Sequence, residues 1–108
     1  MKKLKIIGGV KLHGEVRVSG AKNSVLPILC ATLLNPYKVT IKNIPDLADT
    51  RFLKSLLQEL GVRIEGESFF AEKITSIEAP YEMVAQMRAS ILVLGPLLAR
   101  FGEAKVNL

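Results

Sequence analysis

From Val25 to Leu34 the chain is apolar nearly all round a helix (Val25, Leu26, Ile28, Leu29, Ala31, Leu33, Leu34), and Asn35-Pro36 ends the run. A helix with so little polar surface has to be covered on several sides. The sequence therefore predicts a core helix over Ser24–Leu34, with Pro27 in its first turn, where a missing N–H costs little. Cys30 falls inside this run, which makes it a buried, inert thiol rather than a nucleophile.

What precedes the helix carries the chemistry. Gly14-Glu15-Val16-Arg17-Val18 alternates like a strand, and Ser19-Gly20-Ala21-Lys22-Asn23-Ser24 links it to the helix. A helix start presents unpaired N–H groups and the positive end of the macrodipole, so Lys22 is repelled there unless an anion bridges it. Gly20 would let the backbone approach a ligand, and Asn23 or Ser24 would cap the helix. Together they suggest a pocket for phosphate or carboxylate. The plain alternative is a solvated lysine beside an ordinary cap.

The remaining chain alternates strands and helices. Leu4–Ile7 and Glu15–Ser19 read as short strands, and Tyr37–Ile44 as a strand with one wet face. A helix from Asp46 or Asp49 to Leu60 places Leu47, Phe52, Leu53, Leu56, Leu57 and Leu60 at helical spacing, with acids in its first turn and Gly61 behind it. Residues 62–65 and 69–72 flank Gly66-Glu67-Ser68 as a hairpin, and Ile74–Ala79 is a candidate strand. Pro80 opens one long helix from Tyr81 to about Phe101, followed by Gly102 and a last strand, Ala104–Leu108. The order is ββαβαββαβ, an α/β (α+β) arrangement. A repeat is embedded in it: Lys22-Asn23-Ser24-Val25-Leu26 matches Arg88-Ala89-Ser90-Ile91-Leu92, so two cations at or near the starts of equivalent helices could converge on one anion.

Composition narrows the function classes. With 108 residues, 49% of them hydrophobic, the chain can bury a core. Its net charge of +5, from 15 basic and 10 acidic residues, favours anionic partners only weakly. There is no Trp and no run of like charge, so a nucleic-acid surface is not the expected reading. One cysteine excludes an internal disulfide or thiolate metal site, and the lone His13 beside Gly14 reads as a turn residue, so no metal or cofactor is expected. Lys2, Lys3 and Lys5 lack the apolar core of a signal peptide behind them, and the longest apolar segment, Ala89–Ala99, is far short of the ~20 residues of a membrane span. A cytoplasmic protein that does not enter membranes is expected.

Gly14-Glu15-Val16, Ser19-Gly20-Ala21-Lys22-Asn23, Leu26-Pro27-Ile28-Leu29, Ala79-Pro80-Tyr81, Met87-Arg88-Ala89-Ser90 and the stretch from Leu94 to Gly102 occur in the order and spacing of a known family. Along its whole length the chain resembles the UDP-N-acetylglucosamine 1-carboxyvinyltransferases, enolpyruvyl transferases that open peptidoglycan synthesis and so serve cell-wall biogenesis, cell shape and division. The related shikimate-pathway enzymes carry Lys-Ser at the place of Lys22-Asn23. The resemblance implies repeated βαβαββ-type units of an inside-out α/β barrel, here incomplete. It also implies transfer of enolpyruvyl from phosphoenolpyruvate to the 3-hydroxyl of UDP-N-acetylglucosamine, releasing phosphate without a metal. Lys22 and Asn23 match the pair that binds phosphoenolpyruvate, and Arg88 matches an arginine that binds the sugar nucleotide.

Family members are several times longer, and their reactive-cysteine loop follows the position of Leu108, so no catalytic residue is expected in this chain and no turnover from it alone. The same comparison divides the chain into 1–21, strands and hinge that would pair with a second lobe, and 22–108, the first one and a half repeat units. Strands Leu4–Ile7, Glu15–Ser19 and Ala104–Leu108 would then lack partners, inviting self-association or fraying. The competing class is a small basic α/β module binding RNA or another polyanion.

Overall fold

The computed structural model describes residues 2–107. Helix α1 spans Lys22–Ala31 and tightens into a 3-10 turn over Thr32–Leu34. Strand β1 (Lys38–Thr40) leads to α2 (Ala48–Leu60), the hairpin β2 (Arg63–Glu65) and β3 (Ser68–Phe70), and β4 (Glu78–Ala79). Then come α3 (Tyr81–Gln86), a 3-10 segment over Arg88–Val93, α4 (Leu94–Phe101) and β5 (Lys105–Val106). The mixed α/β class is as the alternation implied.

Two small sheets carry the strands. In the first, β3 lies between β1 and β2, antiparallel to both, with Val39 and Ile64 opposite Phe69. Phe69 points into the core while Phe70 lies on the outer face under the Arg63 guanidinium, 4.0 Å from its centroid. In the second, β4 and β5 pair in parallel. The final strand therefore has a partner, contrary to expectation: Lys105 N–H donates to Ile77 O at 2.9 Å, and Leu108 lies outside the described residues.

The core is built where α1, α2 and the 88–101 segment meet over the inner sheet face. Leu29, Leu33, Leu53, Leu56, Leu57, Leu60, Phe69, Val93 and Leu97 are completely buried. Helix α2 follows its amphipathic pattern closely. The Thr50 hydroxyl donates to Pro45 O at 2.7 Å and accepts from Leu47 N–H at 3.0 Å, fixing its first turn. Gly61 ends it at φ 116°, with Val62 N–H returning to Leu57 O. The Arg100 guanidinium donates to Leu33 O (2.9 Å) and Ala71 O (2.6 Å), joining α4 to the turn after α1 and to the end of β3.

Four expectations need correction. Helix α1 starts two residues earlier than the pattern implied, so Pro27 sits in its second turn and leaves the Asn23 carbonyl without a backbone donor. It is buried along one face only, for Ile28 and Leu34 stay about half exposed. The single helix over Tyr81–Phe101 is broken at Met87, which is extended (φ −149°, ψ 116°). An unbroken helix turning ~100° per residue would put Val84 roughly half a turn away from Val93, yet both are buried in one core, and the break brings them into phase.

Fourth, Leu4–Ile7 and Glu15–Ser19 form no strands. Residues 2–19 are exposed throughout, with Leu12 and Val16 near 90%, so among the described residues nothing covers their large apolar side chains. Alternation favours an extended chain, but a strand also needs a neighbour. This segment raises the radius of gyration to 17.5 Å, against about 13 Å for a close-packed chain of this length. In isolation the chain is expected to self-associate through residues 4–19 as concentration rises. Sedimentation showing a monomer at every concentration, with protected amides in that stretch, would refute this.

Candidate functional site

Lys22 is the first residue of α1, and the residue before it, Ala21, is extended with no side-chain cap. The first helical bond back is Val25 N–H to Ala21 O, 3.0 Å. Asn23 and Ser24 therefore lie inside the first turn and do not cap it, so the expected capping role is withdrawn. The N–H groups of residues 22–24 have no carbonyl within the helix to bind, which leaves an open, positively polarised helix start.

Gly20 has a different purpose from the one the sequence suggested. A Cβ there would lie 2.0 Å from the Asn43 carbonyl oxygen, so the glycine permits backbone to meet backbone. Asn43 holds a left-handed conformation (φ 61°) and donates from Nδ2 to Val18 O at 3.4 Å. The loop before α2 thus grips the chain just before α1 begins.

That grip brings two helix starts together. Lys22 Nζ lies 3.1 Å from Asp49 Oδ2 in the first turn of α2, each side chain a little under half exposed. Repulsion of Lys22 by its own helix start is offset here by a carboxylate of the chain itself. Asp49 was visible in the sequence as a first-turn acid of α2. Its pairing with Lys22 was not, because only the fold places the two helix starts side by side.

Arg88 occupies the equivalent place, directly after an extended residue, Met87, at the start of the 3-10 segment. It is exposed, makes no ion pair among the described residues, and borders a cavity of about 470 Å³ with Val84, Ala85 and Ile91. Lys22 is not among the residues lining that cavity. The 88–93 segment packs on α1, so the two cation-bearing starts belong to adjoining elements. The repeat holds for the helix starts and fails for the packing. Val25 and Leu26 are buried while Ile91 and Leu92 are about 40% exposed, and Ser24 is exposed while Ser90 is buried without a hydrogen-bond partner among the described residues. Tighter 3-10 winding, ~120° per residue, turns the second face out of phase with the first.

Burial pushes the Cys30 thiol up to about 12, so it is neutral and unreactive, as its apolar setting implied. Among the described residues no group of side chains could hold a metal ion, and no helix is long and apolar enough to cross a membrane.

An open helix start carrying a lysine thus adjoins an element that begins with an arginine, on one α/β unit. Comparison with known proteins gives the class its family: the chain belongs to the EPSP synthase (3-phosphoshikimate 1-carboxyvinyltransferase) family, whose model matches residues 6–108. It is 56% identical over 112 aligned residues to the UDP-N-acetylglucosamine 1-carboxyvinyltransferase of Acinetobacter guillouiae, an alignment covering 100% of this chain. The chain spans only 27% of that relative's length. Its structure is similar to the enolpyruvyl transferase NikO from Streptomyces tendae, with a TM-score of 0.69 and 31% identity, over 90% of this chain and 24% of that one. The fold is accordingly a portion of the enolpyruvyl transferase fold.

Proposed function

We propose that this chain is part of an enolpyruvyl transferase that moves the enolpyruvyl group of phosphoenolpyruvate to the 3-hydroxyl of UDP-N-acetylglucosamine. The sugar oxygen bonds to C2 of phosphoenolpyruvate, the C–O bond to phosphate breaks, and inorganic phosphate leaves. The role follows the 56% identical relative, and the observation that carries it at this site is Lys22 as the first residue of an uncapped helix. Phosphoenolpyruvate is multiply charged, and Lys22 with the free N–H groups of the first turn can bind its phosphate oxygens by charge-assisted hydrogen bonds. Asn23 adds an exposed amide beside Lys22. Arg88, in front of a partly apolar cavity, suits the diphosphate of a sugar nucleotide.

On this reading the reaction belongs to peptidoglycan synthesis in the cytoplasm, needs no metal, and requires chain beyond the residues seen here. Residues 1–21 would act as hinge and docking strands, and 22–108 as the first repeat units. The test is the polypeptide that carries this sequence in its native cell. Its intact mass is expected to be several times 11.8 kDa. Phosphate release is expected to need both substrates and to fall about 10- to 100-fold on Lys22→Ala, the value of a charged hydrogen bond. Release indifferent to Lys22 would refute the site assignment.

One observation favours the polyanion reading: Lys2, Lys3, Lys5, Lys11 and Arg17 all lie exposed in the extended segment. Oligonucleotide binding that weakens steeply with salt and ignores Lys22 and Arg88 would support it instead.

A further inference from the structure

We infer that Asp49 is the positioning residue of Lys22, fixing its ammonium group at the start of α1 for the phosphate; this rests on the reading of Lys22 as a phosphoenolpyruvate ligand. A lysine at the first position of a helix gains nothing from its own macrodipole, and α1 has no acid in its first turn. Left alone, its four-carbon side chain would extend into water and sample many rotamers. Asp49 stands where the dipole of α2 favours a carboxylate, with Oδ2 3.1 Å from Nζ. Its neighbour Asp46 is engaged elsewhere, 2.6 Å from Arg51.

Asp49 is itself held in place. Thr50 bonds the Pro45 carbonyl and the Leu47 N–H just before the α2 start, and Asn43 meets Gly20 two residues before Lys22. A half-exposed ion pair adds little to stability, so its effect lies in where it holds Nζ. An ammonium has three donors. One spent on Asp49 leaves two for phosphate oxygens, now aimed from a fixed point.

The test compares the full-length polypeptide that carries this sequence with its K22A, D49N, D49E and K22A/D49N variants, using phosphoenolpyruvate titration and ¹³C relaxation of the Lys22 Cε. D49N is expected to weaken phosphoenolpyruvate binding about three- to tenfold, D49E to recover part of the loss, and D49N to add nothing in the K22A background. Lys22 Cε is expected to be more ordered than Lys2 or Lys3 and to lose that order in D49N. Binding that is unchanged or tighter in D49N, or equally weakened with and without Lys22, would overturn the inference while leaving Lys22 as a ligand. Wild-type binding in K22A would instead overturn the reading of Lys22. Should binding prove too weak to follow, the relaxation decides: a Lys22 Cε as mobile as those of Lys2 and Lys3 overturns the positioning role.

Discussion

Replacing Phe69 by alanine is expected to lower the unfolding free energy by about 3–5 kcal/mol, a large part of the ~5–15 kcal/mol available to a domain. The ring is completely buried on the central strand of the three-stranded sheet, between Val39 and Ile64. Nothing small can refill that space without moving two strands. The adjacent Phe70 provides the control: it sits on the outer face against Arg63, and its truncation should cost less than half as much. Urea denaturation of both variants checks this. Equal losses would mean that both faces of the sheet are equally covered.

The second large effect is expected at Gly61. Its φ of 116° is strained for any L side chain, and a Cβ would meet Lys73 O at 2.6 Å, Thr75 N at 2.7 Å and the Ile74 Cα at 3.0 Å. All three are backbone atoms, so the chain over 73–75 would have to retreat. The Thr75 and Ser76 N–H groups, which donate to Leu60 O at 2.9 and 3.3 Å, would retreat with it. Gly61→Ala should therefore destabilise by about 2–4 kcal/mol, well beyond the cost of an ordinary helix cap. Gly66→Ala, also at positive φ but with open space where a Cβ would point, should cost less. If the two variants unfold at the same urea concentration, the crowding around Gly61 is not what the geometry implies.

The parts of the fold legible beforehand were those whose side chains state their own phase. In α2, Leu53, Leu56, Leu57 and Leu60 mark a single face and Gly61 marks the end, and the helix forms where they say. The stretch from Ala89 to Ala99 is apolar at every position but Ser90 and so carries little phase, which is why the interruption at Met87 was hidden. The alternation in residues 4–19 indicates an extended chain but not a neighbour to pair with, and no strand pairs with it among the described residues. Of the candidate site, Lys22 stood out by its place at a helix start and Arg88 by its match to Lys22 in the repeat; Lys22 does open α1, whereas Arg88 opens a 3-10 segment where one continuous helix was expected. Asp49 and Asn43 were missed because their roles come from contacts between elements that are distant along the chain.

The clasp between Gly20 and Asn43 also has a mechanical consequence. Everything before it extends away as an exposed arm, and everything after it is anchored in the core. An arm tied at its root passes tension to that root. Any load taken up along residues 2–18 is delivered at Gly20, one residue short of the turn that carries Lys22, and through Asn43 to the loop leading to Asp49. Lys22 and Asp49 thus stand beside the point where the exposed arm is tied to the rest of the chain.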